Sequence, residues 1–410
     1  MLADTNIKVF FLVKVAFGVI LYSIFVMMAY QLWIIEYMSD TAINGLLAGD
    51  PQYYHRLAID MREKTISEGW GVWRLRPAGQ GPAGFLSILY TLVGPYPWLV
   101  VFVNSLCHSL ASIFLILILN RVVSMRHALI ASLYFIISPF EMHWLSQINK
   151  ESFVILGVFV FVFGVVLLCE RKNYGLYWIF IGCAIISINR PYVVQLLFSA
   201  SILLALFFVR AKLGQIRKGG RLAFKNEGLL AFKLVIISVL LFPLMTGAAS
   251  NHKNQIKKDL TWSASGLPLF IDSRLYAVSR ARMSFRQHLS SPNKTVRELN
   301  LIDEAEFHDV VDMIYYAPRA LQIALLAPFP NHWPIFSRIN DGSTFRLMVS
   351  VEMFIAYFFF IFLVFGLYKH NHMKFLVPVF IMLFVLQIYG LATPLIGTLR
   401  RYISILYIAS

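Results

Sequence analysis

The sequence predicts an all-α polytopic membrane protein, with about nine to eleven transmembrane helices and short juxtamembrane helices on the external side. Three observations lead there. Of 410 residues, 59% are hydrophobic and only 14% are charged, more apolar material than a soluble core requires. The apolar residues gather in runs close to the ~20 residues that span a bilayer as a helix. The basic residues that raise the net charge to +15 fall mainly in short connections between those runs and in one long polar segment, a pattern of topology rather than of a nucleic-acid partner.

The first run, residues 9–37, is too long for a signal peptide and lacks a small-residue cleavage site, so it is expected to remain as a membrane helix. Further crossings are expected near 97–119, 127–140, 152–169, 174–189, 191–209, 228–248, 347–368 and 375–391, with a partial last segment from Tyr402 to Ser410. The stretch 83–94 is short and runs into Pro95 and Pro97, so it reads as interfacial or re-entrant. The runs at 127–140 and 174–189 are also short, which implies a thinned bilayer or a helix end sunk beside a cavity. Arg56 to Lys64 reads as an amphipathic surface helix. Pro77 to Gly84, preceded by Trp70 and Trp73, reads as a turn region with interfacial aromatics. The chain then divides into a membrane domain over 1–249, whose first external loop is 38–82, an external and partly helical loop region over 250–346, and carboxyl-terminal transmembrane helices over 347–410. In the loop region, Glu304, Glu306, Asp309 and Asp312 are placed on a helix ending near Pro318.

Charge sets the orientation. Arg121 and Arg126, Arg171 and Lys172, Arg210 through Lys225, and Lys369 with Lys374 mark four connections as cytoplasmic. Alternation then puts Asp50, Lys150, Arg190 and residues 250–345 on the opposite face, the periplasm or cell exterior, and the expected setting is a bacterial inner membrane. Cys107, Cys169 and Cys183 lie in or at the ends of apolar runs, and show neither a disulfide framework nor metal-ligand spacing.

Four polar clusters fall on that outer face. The first is Asp50 with Tyr53, Tyr54 and His55. The second runs Glu141, His143, Trp144, Gln147, Asn149, Lys150, Glu151. The third is Asn189-Arg190-Pro191-Tyr192, and the fourth is Arg400-Arg401-Tyr402. Each has an ordinary reading: Asp50 before Pro51 as a helix N-cap, Lys150 and Glu151 as capping residues, Arg190 and Arg401 snorkelling to headgroups, the histidines as interfacial. Yet short external loops that keep cations oppose the positive-inside bias. An anionic, membrane-embedded substrate would account for them, with its phosphate held by Arg and Lys. A nearby acid would deprotonate an acceptor hydroxyl or position a divalent cation that does so, while the aromatics offer stacking faces for a sugar. A polyprenyl-phosphate-linked sugar fits that description.

The string Asp50-Pro51-Gln52-Tyr53-Tyr54-His55-Arg56-Leu57-Ala58 resembles the first external loop of the GT-C membrane glycosyltransferases. Gly81 through Tyr90, Asn104, Asn120-Arg121, Ala128 to Pro139 and Asn149-Lys150-Glu151 are similar in order and spacing to the helices that follow in that superfamily. Arg400-Arg401-Tyr402 is similar to an Arg-Tyr element near the end of many members. The resemblance covers most of residues 1–210 and faintly the carboxyl end. It implies a GT-C-like bundle and an inverting transferase, with Asp50 at the catalytic acidic position, a polyprenyl-phosphate-linked sugar as donor and a glycan, lipid or protein as acceptor. The departures are specific. No second Asp motif stands beside the first, which leaves Glu141 and Glu151 as candidate acids and leaves a metal, on Asp50 if any, open. The chain also stops before a long soluble carboxyl-terminal domain. Two other readings compete. One is an O-antigen-type polymerase or ligase, for which Arg274, Arg280, Arg282 and Arg286 are available. The other is a flippase, which would place charge along the membrane midplane, where most runs carry almost none.

Overall fold

The computed structural model describes residues 2–37, 44–47, 49–121, 123–197, 199–203, 262, 269–289, 305–326, 350–355, 357 and 380, and parts of 383–392. Every regular element among the described residues is a helix. The chain divides into two compact units, Met1–Val194 and Gln195–Ser410.

The first unit contains α1 (Leu2–Tyr37), α2 (Asp50–Glu68), α3 (Gly81–Leu92), α4 (Leu99–Leu119), α5 (Met125–Ile137), α6 (Pro139–Leu145), α7 (Glu151–Cys169) and α8 (Gly175–Asn189). Three segments are long and apolar enough to cross a membrane, Val9–Glu36 of α1, α4 and α7; α5 and α6 make a fourth if taken as one bent span. α7 is the central helix, buried over most of its length, whereas α1 exposes Phe10, Phe17, Phe25 and Leu32. Those four recur about every two helical turns and form one apolar stripe suited to lipid.

Several sequence expectations take a different form here. The 127–140 run is not one straight helix: α5 and α6 meet at a 52° bend, because Pro139 holds Ser138 in an extended conformation (φ −51°, ψ 113°) and the helix must restart. Asp50 does not cap α2. Gly49 takes that position with φ 96°, a backbone that glycine adopts readily, and Asp50 becomes the first helical residue with its carboxylate unspent on capping. The 83–94 stretch is α3, only 12 residues long. The 228–248 run and Tyr402–Ser410 lie outside the described residues, while 347–368 and 375–391 are described only in part.

α7 and α8 pack backbone to backbone. A Cβ on Gly157 would lie 2.9 Å from the Gly182 carbonyl oxygen, and one on Gly164 would lie 2.6 Å from that of Gly175. Each helix thus carries two glycines seven residues apart, matched in antiparallel register, the small-residue contact that lets apolar helices approach closely. Trp178 adds an aromatic wedge, edge-on to Phe114 of α4 at 5.2 Å and to Phe163 of α7 at 5.8 Å. At the far end of this pair Glu170 accepts from Arg121 at 3.2 Å and from Lys172 at 3.0 Å. Glu151 stands at the opposite end of the 19-residue α7, about 28 Å away at 1.5 Å per residue. Arg121 and Lys172 therefore occupy one end of the bundle and Lys150 and Arg190 the other, the separation that the charge pattern requires.

In the second unit, helices Leu269–Leu289 and Val310–Leu326 are described. Asp309 Oδ1 accepts the Asp312 amide at 2.8 Å and Asp312 Oδ2 accepts that of His308 at 2.9 Å, a reciprocal cap of the second helix. That helix continues through Pro318 instead of ending there. Met313, Ala320 and Leu391 share one apolar cluster, and this packing offsets the bond that proline removes. Arg282 is buried. It donates to Ala305 O (2.7 Å), to Leu391 O (3.3 Å) and to the Tyr316 hydroxyl (3.1 Å), with its guanidinium over the Phe307 and Tyr316 rings. It acts as a strut within this unit.

Candidate functional site

The segment that carries Asp50 is tied down by the polar connection between α6 and α7. Gln147 Oε1 accepts from the Leu47 amide at 2.8 Å, and its Nε2 donates to Gly45 O at 3.1 Å. Two further side chains hold that connection in turn: Asn104 Nδ2 donates to Leu145 O at 2.6 Å and Gln147 O at 3.1 Å, and Gln31 Nε2 to Ser146 O at 2.6 Å. Much of the polarity between residues 141 and 151 therefore serves as a backbone clamp. Gln147→Ala should cost about 2–3 kcal/mol, since three side-chain hydrogen bonds are lost and buried groups are left unmatched; a thermal melt of the purified protein would measure it.

The same connection starts α7. Asn149 Oδ1 accepts the amides of Glu151 (3.1 Å) and Ser152 (3.4 Å), an N-cap arrangement, which projects Lys150 and Glu151 at the helix end. The end of α8 arrives beside it. Asn189 Nδ2 reaches Lys150 O at 3.5 Å, and Asn189 lies so close to α3 that a Cβ on Gly81 would sit 2.1 Å from its Oδ1. Arg190 Nη2 then meets Glu151 Oε1 at 2.5 Å, and its Nη1 donates to the Tyr192 hydroxyl. The other Glu151 oxygen accepts the Lys150 amide at 2.9 Å.

The Asp50 end joins through Tyr54. Its hydroxyl donates to Asp50 Oδ2 at 3.2 Å, and Lys150 Nζ stands 5.3 Å from its ring centroid. Asp50, Glu151 and Arg190 all act electrostatically on Tyr54, and Arg190, Asp50, Glu151 and Arg76 act on Lys150. Burial, reinforced by the Asp50 and Glu151 carboxylates, pushes the Tyr54 phenol well above its ordinary acidity range, so its hydroxyl stays protonated and available as a donor. Burial and the Arg190 guanidinium push Lys150 below the usual lysine value, against the opposite pull of Asp50 and Glu151. Lys150 forms no ion pair among the described residues. Two carboxylates thus face three cations, and the cluster carries a net charge of +1 by that count.

Asp50, Tyr54, Lys150, Glu151, Arg190 and Tyr192 therefore come together from three separate connections. Tyr53 packs beside Tyr54 at 5.8 Å. His55 turns inward, its Nδ1 hydrogen-bonded to the Tyr90 hydroxyl at 2.7 Å, and burial lowers its basicity; it helps join α2 to α3. Glu141 is buried on α6, where Ser138 Oγ accepts its amide, and is not among the charges acting on Tyr54 or Lys150. His143 is buried edge-on to Tyr30. Arg400, Arg401 and Tyr402 lie outside the described residues. Sequence reasoning missed Arg76. It sits in a turn where its Nη2 donates to Gly79 O at 3.3 Å and where Ala78 adopts φ 47°, and its only advance signal is a basic residue between interfacial aromatics and the Gly-Pro stretch.

Among the described residues no three His, Cys, Asp or Glu side chains gather, and the carboxylates of the cluster face an ammonium and guanidinium groups, surroundings that attract an anion. No family model, curated protein or solved structure matches this chain.

Proposed function

We propose that this chain is a membrane glycosyltransferase of the GT-C type, which moves a sugar from a polyprenyl-phosphate-linked donor to an envelope glycan, lipid or protein acceptor at the outer face of a bacterial inner membrane. The observation that carries the reading is the meeting of Asp50, Lys150 and Arg190 at one end of an apolar helix bundle. In this reading Lys150 and Arg76 receive the donor phosphate. Glu151 holds Arg190 in place rather than acting as a base, because both of its oxygens are engaged. The Asp50 oxygen not bonded to Tyr54 takes the proton of the acceptor hydroxyl as the hydroxyl oxygen of the acceptor attacks the anomeric carbon. The carbon–oxygen bond to phosphate breaks, and polyprenyl phosphate leaves with inversion at the sugar.

The test is incorporation of label from polyprenyl-phosphate sugars into glycan or lipid by membranes containing the protein. Extension of diphosphate-linked oligosaccharides in place of single-sugar transfer would transfer the assignment to a polymerase. Lys150→Ala should raise the donor KM about tenfold, the order expected for one charge-assisted contact, and leave the melting temperature nearly unchanged. An unchanged KM would remove Lys150 from the phosphate. Arg190→Ala is a less clean probe, because it leaves Glu151 without its partner and should cost stability as well.

A further inference from the structure

We propose that Tyr54 is a positioning residue that aligns the acid and the phosphate-binding cation of this site with each other; the inference rests on the transferase reading above. Its two functional faces point in different directions. The hydroxyl donates to Asp50 Oδ2 at 3.2 Å, and the ring face carries the Lys150 ammonium at 5.3 Å from its centroid. Asp50 and Tyr54 are four residues apart on α2, so one helical turn fixes their relation. Lys150 comes from the start of α7, about a hundred residues later, and Tyr54 touches both.

The ring cannot swing to suit either partner. Tyr54 is 4% exposed and belongs to the apolar cluster that includes Ala83, Leu86, Tyr90, Met142 and Leu145. The core therefore clamps the side chain while its hydroxyl and one face remain at the site. Because the phenol stays protonated, its hydroxyl serves Asp50 as a donor and leaves the other carboxylate oxygen open to an acceptor. A cation over an aromatic face is held without a counter-charge, so the Lys150 ammonium is positioned by Tyr54 without being paired by it. A carboxylate in Tyr54's place would cancel the ammonium's charge.

The groups facing this pair come from every side. Lys150 and Glu151 lie at the start of α7, Arg190 at the end of α8 and Arg76 in the turn before α3, while His55 on α2 itself is turned away onto Tyr90. Removing only the hydroxyl leaves all of them in place. Tyr54→Phe isolates the link to Asp50, and Tyr54→Leu removes the link to Lys150 as well.

The experiment uses the full-length protein in lipid nanodiscs. Binding of farnesyl phosphate is measured by thermophoresis, and transfer from polyprenyl-phosphate glucose, mannose and arabinose is followed at neutral pH. Tyr54→Phe is expected to bind farnesyl phosphate within twofold of wild type and to lose about tenfold in kcat, since the hydroxyl that orients the Asp50 carboxylate is gone while the ring face under Lys150 remains. Tyr54→Leu is expected to weaken farnesyl phosphate binding about fivefold or more, the scale of a cation–ring contact. A Tyr54→Phe enzyme with wild-type kcat would overturn the link to Asp50, and equal phosphate affinity in wild type and Tyr54→Leu would overturn the link to Lys150. A purely structural Tyr54 would lower the melting temperature without separating kcat from phosphate affinity. If wild type transfers none of the sugars, the transferase reading and the Asp50 half fall together, and farnesyl phosphate binding alone decides the Lys150 half.

Discussion

Asp50→Asn should lower sugar transfer by about a hundred- to ten-thousand-fold, the range contributed by a positioned general base, with little change in folding. The asparagine keeps an oxygen that can accept from Tyr54, so the local geometry survives, but it has no oxygen able to take a proton at neutral pH. The start of α2 does not depend on the carboxylate either, because Gly49 supplies the turn and no side chain caps the helix. The decisive comparison is therefore kcat in the mutant beside an unchanged melting curve and unchanged farnesyl phosphate binding. Wild-type transfer by Asp50→Asn would end the assignment of Asp50 as base.

A larger structural effect is expected from Gly157→Leu. The first atom added already meets Ile186 Cγ1 at 2.6 Å and the Gly182 carbonyl at 2.9 Å, and backbone cannot yield as a flexible side chain does. The two helices must separate, and overpacking of this kind costs about 1–3 kcal/mol or more. Because Asn189 and Arg190 end α8, separation also draws Arg190 from Glu151, so the mutant should lose thermal stability and phosphate affinity together. Gly18→Leu on α1 is the matched control: nothing lies within 4 Å of a Cβ at that position, and the substitution should leave both properties intact. Equal melting temperatures for the two variants would show that the glycine seam does not hold the bundle.

The helices around the site were legible in sequence because apolar runs bounded by charge or proline define them, and α4, α7 and α8 fall within a residue or two of the expected limits. Asp50, Lys150 and Arg190 stood out for a related reason: a charge next to an apolar run needs a partner or a purpose. Other features left weaker traces. The bend at Ser138 follows from Pro139, but the run on both sides remains apolar, so hydropathy alone joins α5 to α6. The equal spacing of Gly157 and Gly164, and of Gly175 and Gly182, was visible in principle; which helices it joins depends on packing. Gln147 and Asn104 look like stray polar residues until the carbonyls and amides they serve, 41 to 102 residues distant, are placed beside them. Arg76 was hidden because a turn has no periodicity from which its direction in space can be read.

The Glu151–Arg190 pair has a consequence for biogenesis. In the proposed orientation α7 and α8 form a hairpin with its turn in the cytoplasm, and Arg190 must be delivered to the side that basic residues tend to avoid. Glu151 sits at the other leg of the same hairpin and meets Arg190 at 2.5 Å, while the glycine seam brings the two legs together along their length. Of the three outward-bound charges of this hairpin, Lys150, Glu151 and Arg190, the last two can thus be presented to the translocation machinery as a neutral couple. The residue that orients the arginine in the finished protein would also ease its passage across the bilayer.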